Sequence, residues 1–404
     1  MKRHFWRLLV SRLAASALGS VTFLLVARGT SPKDIGALGT VTAIAAIVLV
    51  AGDLGLSTYL PRQYAREEYA RVHTGLRINR VSSTVLGVVG FVLVAELARV
   101  FSLPIALALV PIALSLDKNT DTASNVCISA GDSRDPAISF FLRRLVPLAV
   151  FALLYFSMGR DPILSYGIAL VSGSVAGQLV VNRATRRAVA IGFAGLTGHE
   201  NPQGSARRRV IRDSLPFLVS NLSSNARQLD VAVTTFFASP IGGGIYAAAS
   251  KLLQPLYLVP SVLSLLLIPS ATRMERIAAV RLVRRLYLAV LLATPMAFAL
   301  GLVAQLLVVP VLGEDYAGSA SILVALLTGL PLVALTGPLG SVLQSQGLQR
   351  EVAVVGSSFA VLTLAMIAGG AAYWGAMGAA VALGVSQWIR ATVLVLILRR
   401  PGMG

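Results

Sequence analysis

Cysteine, histidine and charge are scarce in this chain. A single cysteine, Cys127, stands among 404 residues. An internal disulfide is therefore excluded, as is a multi-cysteine metal site. The three histidines, His4, His73 and His199, are scattered near the ends of apolar runs and form no metal constellation. Charged residues make up 13% of the chain, about half the roughly 25% usual for a soluble domain. There is no G-x-S-x-G nucleophile turn, no Walker A loop and no metal-spaced His/Cys cluster. No catalytic residue, metal or resident cofactor is expected, and the chain is not read as an enzyme. A large polar domain is missing too: the longest clearly polar stretch, Arg183 to Asp213, reads as a loop.

What the chain has in abundance is apolar length. Hydrophobic residues are 56% of it, and the mean hydropathy is +0.77. Runs of roughly 20 apolar residues recur from end to end, each long enough to cross a hydrocarbon core of about 30 Å. Twelve spans are predicted, at 6–27, 35–58, 78–98, 102–129, 138–158, 162–182, 214–237, 243–270, 286–311, 317–345, 351–372 and 376–398. Their length predicts helices: membrane strands would alternate with period two over about ten residues. The fold class expected is therefore all-α and integral to a membrane. Arg7 and Arg12 interrupt any signal-peptide core, and the apolar run continues to Ala27. The N-terminus thus reads as an uncleaved first span.

The positions of the basic residues orient these spans. With the N-terminus in the cytoplasm, twenty-seven Lys/Arg fall on the cytoplasmic side and four, Arg28, Lys33, Arg99 and Arg160, fall outside. The remaining four, Lys118, Arg227, Lys251 and Arg390, lie inside spans. The positive-inside rule then places both termini in the cytoplasm and loops 238–243 and 312–316 outside. The net charge of +18 follows from that bias. It is read as facing anionic membrane lipid, with no nucleic-acid partner.

The chain also repeats itself. Ser31, Pro32, Gly36 and Pro61 are matched, at one offset of 208, by Ser239, Pro240, Gly244 and Pro269. A second echo, at offset 216, pairs Val126, Ser129, Gly131 and Arg134 with Val342, Ser345, Gly347 and Arg350. Proline and glycine mark backbone geometry, so the matches predict hairpins that turn alike. The repeats lie six spans apart and share an orientation, as in parallel repeats related by an axis along the membrane normal. Two six-helix bundles are predicted, residues 1–210 and 211–404.

Polar residues inside the spans are the candidate site. An ionised group there costs at least roughly 2.5–3.5 kcal/mol, so it faces a cavity or a partner. Asp117, Asp121 and Ser124 follow i, i+4, i+7 spacing on span 4, with Lys118, Thr122 and Asn125 beside them. Span 7 repeats the pattern with Asn221, Asn225 and Gln228, flanked by Arg227 and Asp230. Each charged group has a plainer reading as ion pairs that hold helices together. Lys251 has no acid within helical reach in its own span, which favours a cavity role. Arg390 could instead extend to the membrane surface, and Asp53, near the end of span 2, reads as structural. Asp117 and Asp121, one turn apart, would suit a proton site, with Asp230 a further candidate for ion coupling. Lys118 nearby acts against such a site.

Several segments, in order, resemble polysaccharide-biosynthesis membrane proteins, the Wzx-type flippases of lipid-linked oligosaccharides. They begin with LLVARGTSPKDIGALGTVTAIAAIVLVAGDLGLSTYLPRQYAR, which holds Arg28, Gly36 and the acidic-Leu-Gly group Asp53-Leu54-Gly55. GGGIYAAASKLL, LIPSATR, VLGEDYAGSASIL and YWGAMGAAVALGVSQ follow. The resemblance covers nearly the whole chain. It implies the multidrug/oligosaccharidyl-lipid/polysaccharide exporter superfamily, with two six-helix bundles in a V, a cationic central cavity and alternating access. It implies a bacterial inner membrane and a polyprenyl-diphosphate-linked glycan as cargo. A polysaccharide polymerase complex is the candidate partner, and a single chain the transport unit. Lacking a nucleotide site, such a protein would couple uphill movement to a proton or sodium gradient or to the membrane potential. Twelve spans argue against the lipid II flippases, which usually carry fourteen. The related MATE drug exporters use carboxylates for cationic drugs, and Asp117 and Asp121 keep that alternative open. A non-transporting scaffold for glycan assembly is the third. Under the flippase reading, Arg227 and Lys251 are the primary headgroup contacts and Lys118 and Arg28 secondary. Asn221, Asn225 and Gln228 would bond phosphate or sugar.

Overall fold

The computed structural model describes residues 2–194, 205–256, 276–345 and 348–399. Among these residues there are helices and no strand. Hydrocarbon offers a backbone no water to bond, and a helix satisfies its own N–H and C=O groups.

The first half of the chain runs α1 (Lys2–Arg28), α2 (Pro32–Gly52), α3 (Leu56–Ala65), α4 (Tyr69–Val100), α5 (Leu109–Ser129), α6 (Arg134–Ala152), α7 (Pro162–Ala194) and α8 (Ser205–Asn225). The second half runs α9 (Asp230–Phe237), α10 (Pro240–Leu252), α11 (Arg276–Ala304), α12 (Val308–Leu312), α13 (Ser319–Ser345) and α14 (Gln349–Arg399). Among the described residues, eight helical segments are long and apolar enough to cross a membrane, and they cover nine of the twelve expected spans. One of them, α14, holds two. Trp374 and Gly375 leave the helical region there (φ −129° and 60°), and Gly370 packs backbone to backbone on Gly378, so the chain doubles back. The three other expected spans are set apart by their polarity or by breaks. Helix α5 carries Asp117, Lys118 and Asp121. Span 214–237 is not one helix: a 3-10 turn over Ala226–Leu229 separates α8 from α9. Helix α10 ends at Leu252, and residues 257–270 of span 243–270, with Pro269, lie outside the described residues.

Two compact units are present. One comprises Met1–Val26 and Val41–Asn225, the other Ala27–Thr40 and Ala226–Gly404. The first unit thus ends at Asn225 rather than at 210, and the turn between α1 and α2 belongs with the second. In the first unit, small residues let helices approach closely. A Cβ on Gly87 of α4 would stand 2.5 Å from Ser115 Oγ of α5, as expected of helix contacts inside a membrane. The opposite face of α4 exposes Val81, Val85, Val88 and Val92, a helical stripe suited to lipid.

In the second unit the first sequence echo becomes a physical contact. Pro32 and Pro240 each open a helix, where a missing N–H costs nothing. Ser31 and Ser239 precede them, and their hydroxyls accept the backbone N–H of Asp34 (3.2 Å) and Gly242 (2.9 Å). The two helix starts press together reciprocally. A Cβ on Gly36 would stand 2.2 Å from the Pro240 carbonyl oxygen, and one on Gly244 only 1.7 Å from that of Pro32. Any side chain at either glycine would have to displace backbone. Nearby, the phenol of Tyr316 donates to the Thr30 carbonyl at 3.0 Å, and Ser319 to that of Ile245 at 2.9 Å. Burial pushes the Tyr316 phenol up from its ordinary range. Loops 28–31, 238–240 and 313–319 therefore share one end of this unit.

The second echo is a helix ending. The Asp132 N–H donates to the Cys127 carbonyl (3.0 Å), and the Leu348 N–H to that of Leu343 (3.1 Å). These are the same six-residue closure at positions 216 apart, of the kind that ends helices in a Schellman turn. Gly131 has the expected positive φ of 86°; its counterpart Gly347 lies outside the described residues.

Candidate functional site: charged groups within the two units

Asp53 is the hub of the first unit. Helix α2 stops at Gly52, and the chain turns through two residues of positive φ, Leu54 (53°) and Gly55 (80°). A Cβ on Gly55 would come within 2.4 Å of the Ser214 carbonyl oxygen in α8, so both the turn and the contact require glycine. The Asp53 carboxylate points along the start of α3. It accepts the Ser57 N–H (3.2 Å) and hydroxyl (2.6 Å), and the Thr122 hydroxyl of α5 at 3.2 Å. Lys118 Nζ lies 3.3 Å away. Asp53 is fully buried and Lys118 largely so. The Asp-Leu-Gly group is thus a helix break whose acid is neutralised by the next helix but two.

Asn221 extends the same network. It accepts from Thr58 (3.0 Å) and donates to Ser57 (3.2 Å), while Asn125 donates to the Ser57 carbonyl (3.2 Å). Asn225 donates back to the Asn221 carbonyl at 2.8 Å. Asn221, Asn225 and Gln228, which their spacing predicts to share one helix, do not lie on one α-helix. Asn225 ends α8, and Gln228 lies in the 3-10 turn, at the point where the chain leaves the first unit.

Asp117 and Asp121 share a cation, Arg143, that the charge count places among the basic residues of the cytoplasmic side. Arg143 of α6 donates to Asp121 Oδ1 at 2.6 Å, lies 3.3 Å from Asp117 Oδ1 and also donates to the Asp117 carbonyl. It is buried, and its guanidinium lies 5.2 Å from the centre of the Phe140 ring. Gly177 of α7 makes room for it: a Cβ there would be 2.3 Å from Arg143 Cγ. The sequence held a clue, since two stacked carboxylates in a span need a cation on a neighbouring helix. Proximity to that run of basic residues hid it.

The second unit has the opposite balance. Asp230 opens α9, is 6% exposed and accepts the Tyr246 hydroxyl at 3.2 Å. Arg227, in the turn before it, and Lys251, near the end of α10, both act on it electrostatically. Asp230 is thus under the electrostatic influence of two other expected site residues. Arg390 of α14 makes no ion pair among the described residues, and its buried Nε has no hydrogen-bond partner. Arg28 is the exposed last residue of α1.

The sequence profile of a family described as "Polysaccharide biosynthesis protein" matches residues 2–275. The chain belongs to that family. No curated protein matches the sequence. Among solved structures, the lipid II flippase MurJ in an inward closed conformation is similar, with TM-score 0.73 and 11% identity. That match covers 99% of this chain and 88% of MurJ. An inward-facing multidrug resistance MATE transporter of the MOP superfamily matches with TM-score 0.61 and 15% identity over 97% of each chain. A MOP superfamily transporter from Pyrococcus furiosus, described as having a binding pocket of reverse polarity, matches with TM-score 0.59 and 14% identity. It covers 98% of this chain and 95% of its own. This family member is a multi-pass membrane protein, and its fold is the one these MOP superfamily transporters share.

Proposed function

We propose that the protein is a flippase that moves an undecaprenyl-diphosphate-linked oligosaccharide from the cytoplasmic to the outer leaflet by alternating access. The observation that carries this reading is the presence in the second unit of Arg227 and Lys251, two cations that both act electrostatically on the buried Asp230. Membership of the polysaccharide biosynthesis family supports it. Two phosphates crossing an apolar core need fixed cations in place of water. An Arg fork and a Lys point charge are the groups suited to them. Arg28, exposed at the end of α1, is a secondary contact. The start of α2, which exposes Lys33, and the loop that exposes Arg160 face outward, and both termini face the cytoplasm of a bacterial inner membrane. A single chain transports, and a polysaccharide polymerase complex takes up the product.

A MATE-type exporter of cationic drugs needs an available carboxylate. Asp53 and Asp117 are taken up by Lys118 and Arg143. Asp121 favours the second reading, because it keeps 48% of its side chain exposed while paired with Arg143. It is also the position from which a proton or sodium gradient would couple. Proteoliposomes decide between the two. The expected result is translocation of a fluorescent polyprenyl-diphosphate glycan and no export of a cationic dye. Dye export without glycan movement overturns the proposal, and movement of neither supports the scaffold reading.

A further inference from the structure

A cavity of about 700 Å³ opens between α4, α5 and α7, wholly within the first unit. It shares no residue with the ion pairs of Asp53, Asp117 and Asp121. Its polar lining is graded by depth. Arg77, Arg80 and Arg186 are exposed at its mouth. Asn182 is half-buried and accepts from Arg80 at 3.4 Å. Asn79 and Asn119 are 2% and 7% exposed and form the inner wall. Asn79 Nδ2 donates to Asn119 Oδ1 at 3.0 Å, while Asn79 Oδ1 is buried and accepts nothing.

Two features of this lining point to a ligand. Three guanidinium groups surround one opening, and none of them is in an ion pair among the described residues. A cluster of one sign raises the local concentration of the opposite ion, and a planar guanidinium fork matches phosphate oxygens. Deeper in, a buried amide oxygen without a donor is costly and invites a hydroxyl or amine hydrogen. A phosphate held by the arginines at the mouth acts there as an acceptor, so a further hydroxyl or amine group of the ligand must supply that hydrogen deeper in. The volume is within the range of about 300–1,000 Å³ typical of small-molecule sites.

We propose that this cavity binds a phosphate ester that also carries hydroxyl groups, with the phosphate on Arg77, Arg80 and Arg186 and a hydroxyl donating to the Asn79 carboxamide. Two sources can present this chemistry. Helices α4 and α7 have 32 and 33 residues, roughly 50 Å of helix at 1.5 Å per residue, against a hydrocarbon core of about 30 Å. Their arginine-bearing ends therefore reach headgroup depth and water. A polyol-phosphate lipid headgroup could enter from the side, and a soluble sugar or glycerol phosphate from the aqueous phase.

The test uses the full-length protein in detergent. Calorimetry titrates glycerol phosphate, glucose phosphate and inorganic phosphate. Native mass spectrometry compares retention of phosphatidylglycerol with that of phosphatidic acid, which lacks the hydroxyls. Tight binding of a soluble ester identifies the aqueous source, and selective retention of phosphatidylglycerol identifies the lipid. In either case the double variant Arg77→Gln/Arg186→Gln, at exposed positions, should weaken binding at least tenfold with an unchanged melting temperature. Asn79→Leu should abolish the preference for hydroxylated over bare phosphate; should that variant not fold, Asn119→Ala reads the same preference. The proposal is overturned if neither source binds or if the arginine variant binds as tightly as the parent. Equal affinity for inorganic and esterified phosphate, with phosphatidic acid retained as well as phosphatidylglycerol, overturns it too.

Discussion

The two units treat charge inside a membrane in opposite ways. In the first, Asp53, Asp117 and Asp121 lie within reach of Lys118 or Arg143, and hydroxyls and amides take up remaining bonding capacity. In the second, Arg227 and Lys251 both act electrostatically on the buried Asp230, and Arg390 has no ion pair among the described residues. A buried pair is costly to desolvate, and its removal by halves is costlier still, so it persists where it fixes geometry. An excess of one sign does not fix geometry better than a balanced pair would, and a ligand of opposite charge gives it a use.

Variants that unbalance the first unit test this contrast. Asp53→Asn leaves Lys118 largely buried without its counter-charge and removes an acceptor from Ser57 and Thr122. The expected loss is about 3–5 kcal/mol, read as thermal unfolding in detergent, and Lys118→Met in the same chain should restore most of it. A Lys118→Met variant that is stable but inactive would instead make Lys118 a headgroup contact. Arg143→Met should cost somewhat less, about 3 kcal/mol, because Asp121 retains water; Asp117→Asn added to it should recover part of the loss. A melting temperature unchanged in Arg143→Met would remove that pair from the account of the fold.

A smaller effect is expected where the sequence echo becomes contact. Gly244→Ala sets a methyl group against the Pro32 carbonyl, and the expected cost is about 1–3 kcal/mol. Because the contact is reciprocal, Gly36→Ala should cost a similar amount, and the double variant less than the sum. Strict additivity would mean that the two helix starts do not share one contact.

These elements also show what a sequence can disclose. Helix starts and stops were legible because they are local: Ser31-Pro32 and Ser239-Pro240 are cap and first-turn residues, and Gly131 closes a helix by its own backbone. The family resemblance rested on the same local marks. Partnerships were not legible. Asp53 and Lys118 are brought together only by packing of α5 against the break after α2, and no spacing rule joins them. Arg143 was counted with the basic residues of the cytoplasmic side because helix α6 begins inside that run of charge. The turn at Ala226–Leu229 was missed because apolar residues continue on both sides of it, so hydropathy reads straight through. With that turn went the single helix expected to hold Asn221, Asn225 and Gln228, the first of which bonds Ser57 and Thr58.

The central claim is that the cations of the second unit serve a phosphate-bearing cargo. Its most direct test is Lys251→Ala, alone and with Asp230→Asn, assayed side by side for glycan translocation in proteoliposomes and for thermal unfolding in detergent. The account predicts that translocation falls at least a hundredfold in Lys251→Ala while the melting temperature stays close to that of the parent, and that Asp230→Asn does not restore transport. Full transport in Lys251→Ala, or a collapse in stability that Asp230→Asn rescues, would show that Lys251 is a structural partner of Asp230 and would contradict the account.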